Sequence, residues 1–142
     1  MTPRVLISEK AIAVVNQLKH RFGDLMFHQS GGCCDGSAPM CYLAGEFKVG
    51  AADVLLGELF VTDISEPIKV WISLEQFEYW SHTHITIDVV PGRGGGFSLE
   101  TPEGLRFLIR SRLFSDQETL ELEGQPLLLG SGERKVVVRE RA

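Results

Sequence analysis

His28-Gln29-Ser30-Gly31-Gly32-Cys33-Cys34-Asp35-Gly36-Ser37-Ala38-Pro39-Met40-Cys41 holds all three cysteines of the chain and spaces them with glycines, a proline and small polar residues. Apolar stretches flank this run. A strand over residues 25–28 is expected to enter it and a strand over 41–47 to leave it, so a β scaffold presents a cysteine-rich loop, 28–41. Soft thiolates, a carboxylate and an imidazole so close in sequence suit metal binding or thiol exchange.

Outward from the loop, Ser8 reads as the cap of a helix over 9–22. Ala11, Ile12, Val15, Leu18 and Phe22 recur at three- and four-residue steps, and Gly23 ends it. Residues 54–62 read as a strand with a bulge at Gly57. Val70-Trp71-Ile72 reads as a short strand, and Ser73 with Gln76 as a capping box for a brief helix over 74–80. Residues 84–90 are rich in β-branched side chains and read as a strand. Residues 97–101 and 105–112 read as a hairpin around Pro102-Glu103-Gly104. The expected class is α+β, mostly antiparallel β-structure with one long N-terminal helix and a short internal helix. A single globular domain is expected over 1–114. Residues 115–142 form a C-terminal extension, read as edge strands or as a tail that pairs with a partner.

The chain has 142 residues, 44% of them hydrophobic, with a net charge of -5 and a pI near 5.3. Such a balance disfavours a nucleic-acid partner, which needs a basic face. Arg106, Arg110 and Arg112 read as the solvated face of a strand. No apolar run approaches the roughly 18–20 residues that span a bilayer, and the N-terminus lacks a secretory pattern. A cytoplasmic protein with no membrane partner is expected. In a reducing compartment, clustered cysteines read as metal-binding or redox-active before they read as disulfides.

Cys33 and Cys34 are adjacent, so in extended backbone they point apart, and a disulfide between them is strained. One of them with Cys41 makes the better pair, the glycines letting the loop fold back. His28 is a candidate ligand, or a base that lowers a cysteine's pKa. Asp35-Gly36 reads as a turn. His82 and His84 form an HxH pair whose imidazoles share a face if both lie on a strand. The candidate metal set is thus Cys33, Cys34, Cys41, His28, His82 and His84, for iron, zinc, copper or an iron–sulfur cluster. Gly92 to Gly96 departs from a phosphate-binding loop, since Phe97 stands where the last glycine belongs. Phe77, Tyr79 and Trp80 read as core and interface packing. A thiolate site needs a nearby cation, for which Arg93 and Arg106 are candidates.

The strings HQSGGCCDGSAPMCY, QFEYWSHTHITIDVVPGRGGGFSLE and GLRFLIRSRLF resemble a family of small bacterial proteins of unknown function, often encoded beside aldehyde dehydrogenase genes. The likeness covers nearly all of residues 4 to 115. It implies an accessory role in aldehyde or alcohol oxidation, with an aldehyde dehydrogenase as partner. A homodimer is a second candidate assembly. More distantly, the order of elements resembles the A-type iron–sulfur carriers, the HesB-like fold. The matching features are Ser8 to Phe22, Gly32-Cys33, Tyr42, Asp88-Val89, Gly96-Phe97 and Thr101-Pro102. The carriers end in a Cys-Gly-Cys-Gly motif where this chain has Ile109-Arg110-Ser111-Arg112, so two of their three cluster ligands are missing here. Three functions follow: a metal- or cluster-binding accessory protein, a thiol-based enzyme or aldehyde handler with an activated cysteine, and a metal-free interaction protein.

Overall fold

The computed structural model describes residues 3–29, 36–61, 66–92 and 98–136. Cys33, Cys34, Asp35 and Arg93 lie outside them, as do Gly32 and Phe97. The described residues form a mixed α+β fold whose strands pair mostly antiparallel.

β1 (Val5–Ile7) leads into α1 (Glu9–Phe22). The Ser8 hydroxyl accepts the Ala11 N–H, and Gly23 at φ 102 stops the helix while its N–H returns to the Lys19 carbonyl. β2 (Leu25–Gln29), β3 (Met40–Leu43), β4 (Val54–Leu59) and β5 (Ile68–Ile72) follow, then α2 (Leu74–Trp80), capped by Ser73. β6 (Thr83–Pro91) and β7 (Leu105–Leu113) come next, then α3 (Asp116–Leu122), β8 (Pro126–Leu128) and β9 (Arg134–Val136).

The strands make a three-stranded sheet ordered β1-β6-β7, a four-stranded sheet ordered β3-β2-β5-β4, and the β8-β9 hairpin. β1 runs parallel to β6 and β2 parallel to β5; the other pairings are antiparallel. Both sheets contribute to one buried apolar cluster, which Ala11, Val15 and Leu18 of α1 complete. Phe27 of the larger sheet meets Phe107 of the smaller one edge to face, with ring centroids 5.0 Å apart. Leu127 of β8 joins the same cluster.

Three expectations change. The strand after the cysteine loop ends at Leu43, not at residue 47, because a turn with Gly45 at φ 91 and a Glu46 N–H to Leu43 carbonyl bond reverses the chain. The expected hairpin of 97–101 with 105–112 does not form. β7 pairs with β6 from Pro91↔Leu105 to Thr83↔Leu113, and Thr101–Glu103 is a 3-10 turn. The cause is Glu100, whose buried carboxylate takes the Ser98 hydroxyl and the Phe107 N–H and folds 98–103 into a compact turn. Finally, α3 lies where only weak structure is expected. Ser115 and Glu118 cap each other's backbone N–H groups there.

The bulge at Gly57 is present, with the register slipping between Leu55 and Gly57 against β5. A Cβ at Gly57 would stand 2.9 Å from Val5 Cγ1, so the absent side chain lets β1 approach β4. Among the described residues, no helix is long and apolar enough to cross a membrane.

Candidate functional site

The two ends of the cysteine loop are fixed by backbone. Gln29 is buried at the end of β2, and its carbonyl accepts the Ser73 N–H at 3.2 Å. On the far side, the Gly36 N–H donates to the Ile109 carbonyl at 2.7 Å, and the Ile109 N–H to Ser37 at 2.8 Å. Residues 36–37 therefore dock on the open edge of β7. Gly36 sits in a turn at φ 90, while Asp35, the other half of the expected Asp-Gly turn, lies outside the described residues. The Arg106 guanidinium donates to the Gly36 carbonyl. Arg106 is half-buried and attached to the loop's exit, unlike Arg110 and Arg112, which are exposed and paired with Asp88 and Glu118.

The β2–β3 register sorts the candidate ligands. Phe27 lies opposite Cys41, and His28 lies opposite Met40. Successive side chains of a strand point to opposite faces. Cys41 thus faces the shared core with Phe27, while His28 faces the other side of the sheet with Met26, Met40 and Tyr42. Cys41 is fully buried, and burial pushes its thiol far above the ordinary value, with the Glu100 carboxylate adding to the shift. Such a thiol is a packing residue with little thiolate character.

His28 is buried as well, but in polar company. Its Nε2 lies 2.9 Å from Asp53 Oδ2. A carboxylate only accepts, so Nε2 carries the proton, and in the neutral ring Nδ1 holds the lone pair. The ring packs against Phe47, with centroids 4.5 Å apart, and Phe47 stacks on Tyr42 at 4.8 Å. The turn after β3 makes this possible by throwing Phe47 back over the sheet. Asp53 and Phe47 are the residues that the sequence reading did not find. Asp53 stands 25 positions from His28, and only the β4–β5–β2 pairing brings the two together.

His82 and His84 do not share a strand face, because His82 lies in the turn before β6. Its carbonyl accepts the Phe114 N–H at 3.1 Å. His84 is buried on β6 with its ring edge-on to Phe114. Burial lowers its pKa, as does Arg112 opposite, while Glu118 pulls the other way. Both histidines belong to the β6–β7 sheet region, whereas His28 lies on the other sheet. Among the described residues, no three His, Cys, Asp or Glu side chains are grouped to hold a metal ion. Phe77 and Trp80 are core, as expected, and Tyr79 is exposed.

No curated protein and no solved structure matches the chain. One family model does, over residues 14–113, from within α1 to the end of β7, which takes in the four-stranded sheet and the β6–β7 pair but not β1. The chain belongs to the DUF779 family, a domain of unknown function.

Proposed function

We propose that this protein binds a metal ion or a labile cluster at its cysteine loop, and serves as a cytoplasmic accessory to an aldehyde- or alcohol-oxidising enzyme. The ligands are a loop thiol, Cys33 or Cys34, and the His28 imidazole. The observation that carries the reading is the 2.9 Å bond from His28 to Asp53. Ligating histidines almost always give their other ring N–H to such a partner, which sets the tautomer and raises ligand basicity. Cys41 fits the group poorly, since a metal thiolate must lose its proton and this thiol is held protonated by burial. The link to aldehyde oxidation, and the distant likeness to the A-type carriers, come from the sequence resemblance.

Freshly isolated protein is assayed for metal, and its absorption is recorded before exposure to air. Iron, zinc or copper should be present, or be taken up anaerobically from their salts. Cys33→Ala, Cys34→Ala and His28→Ala should lower the uptake. Cys41→Ala, His82→Ala and His84→Ala should leave it intact. Wild-type protein that holds no metal and gains none ends this reading.

A second reading is supported by Arg106 at the loop exit. A cation there favours the thiolate form of a neighbouring cysteine, as nucleophilic attack on a carbonyl or disulfide requires. Its test is the pH dependence of alkylation. Loop thiols that all react as unperturbed cysteines of pKa about 8.5 exclude an activated nucleophile. Metal-free protein with ordinary thiols that still binds the dehydrogenase would leave only an interaction role.

A further inference from the structure

Gly130 lies between β8 and β9, outside the span that matches the family model. Its N–H donates to the Asp53 carbonyl at 2.8 Å, and the next N–H, of Ser131, donates to the Ala51 carbonyl at 3.0 Å. Leu129 bridges Val54 in antiparallel fashion. The contact is closer than any side chain allows. A Cβ on Gly130 would lie 1.9 Å from the Gly50 carbonyl oxygen and 2.9 Å from Val49 Cγ1. Gly50 is itself pinned from the other side. Its N–H donates to Asp53 Oδ2 at 2.8 Å, and its carbonyl accepts the Asp53 N–H at 3.0 Å. The backbone of Gly50 is thus held between Gly130 and the carboxylate that holds His28.

The strap is stiff. Leu127 anchors it in the core, and it closes on itself through the Leu129 N–H to Glu133 carbonyl and Gly132 N–H to Leu129 carbonyl bonds. We propose that Gly130 is a positioning residue for His28, acting through the 50–53 turn and Asp53. This deepens the reading of His28 as a ligand: the C-terminal extension fixes the orientation of its imidazole through Asp53. A side chain at position 130 must push the turn away, and the turn carries Asp53 with it.

The test follows the His28 ring proton on Nε2 by nitrogen-edited NMR in metal-free, full-length protein. In wild type this proton should be protected from solvent exchange. In Gly130→Ala it should exchange about tenfold faster or more, as expected for a locally opened bond. Asp53→Ala, which removes the acceptor, should give the same result. The exposed control Glu133→Gln should behave as wild type, and amides of β6 and β7 should keep their protection in all variants. A ring proton in Gly130→Ala that is as protected as in wild type overturns the proposal.

Should Gly130→Ala not fold, wild-type exchange in low denaturant decides. The Gly130, Gly50 and His28 ring protons should open together, before β6. A His28 proton that stays protected after Gly130 and Gly50 have opened overturns the proposal equally. No metal enters either measurement, so a chain that never binds metal sinks the ligand reading and leaves the positioning of His28 separately judged.

Discussion

The Nε2 of His28 and the Oδ2 of Asp53 lie 2.9 Å apart, and the same carboxylate oxygen takes the Gly50 N–H at 2.8 Å. One oxygen therefore ties the end of β2 to the turn that starts β4. The imidazole is nearly fully buried, with Phe47 against its face. It cannot turn without breaking the bond or displacing an aromatic ring. The orientation of the ring is thereby fixed at the end of β2.

The first prediction concerns Asp53. If His28 is a ligand, losing the partner of its other nitrogen should weaken metal binding by about 10–100-fold. Asp53→Ala should show that loss in a competition titration against a chromophoric chelator. Asp53→Asn should fall between, since its amide oxygen still accepts the ring proton but without the charge. Wild-type affinity in both variants would remove His28 from the ligand set.

The second prediction separates Cys41 from the other two thiols. Buried in the core and held protonated, it should resist alkylation in the native protein. At about pH 8 its rate should be at least about 100-fold below that in denaturant, as thiolate content and access both fall. Peptide mass spectrometry after brief alkylation reads this directly. Cys41→Ser should cost about 1–3 kcal/mol, because a hydroxyl replaces a thiol in an apolar setting. Rapid native modification at Cys41 would mean that the β2–β3 register is not maintained in solution.

The local elements were legible because their signals are local. Ser8 and Gly23 bound α1, and the β-branched run after His82 marks β6. The Gly57 bulge was legible for the same reason. Ser115 and Glu118 carry an equally local signal for α3, overlooked because the helix is short and its surroundings are charged. The candidate site was legible only in part. His28 stands out beside the loop, but nothing near it in sequence announces Asp53, which reaches it through two strand pairings. Placing Cys41 with His28 failed on parity. The two residues sit on neighbouring strands one register step apart, and a one-step difference in a sheet means opposite faces.

Asp88 supplies the third prediction, a pH dependence. The Ser8 hydroxyl donates to Oδ1 at 2.6 Å, and Arg110 Nε donates to Oδ2 at 2.7 Å. Together they hold the Asp88 carboxyl at about 2, below its ordinary 3.8. A depressed folded-state pKa stabilises the fold above the unfolded value, and that stability is lost as pH falls from 3.8 through about 2. Arg110 is half exposed, so solvent screening reduces the contribution to about 1 kcal/mol. In urea unfolding, Asp88→Asn should be less stable than wild type at about pH 7, and the gap should close near pH 2. A gap that is constant with pH would mean that the carboxylate charge plays no part.

The last prediction tests how the two sheets meet. Gly57 lacks a side chain where Val5 Cγ1 would stand 2.9 Å from a Cβ. The obstacle is one methyl group of a buried valine rather than backbone. Gly57→Ala should therefore destabilise by about 1–3 kcal/mol through overpacking. Val5→Ala alone should also destabilise, by opening a cavity. The double variant should be more stable than the sum of the two losses, since the added methyl occupies the space that the valine vacates. Urea denaturation of the four proteins in the cycle measures the coupling. Strictly additive losses would show that β1 and the β4 bulge do not share this contact in solution.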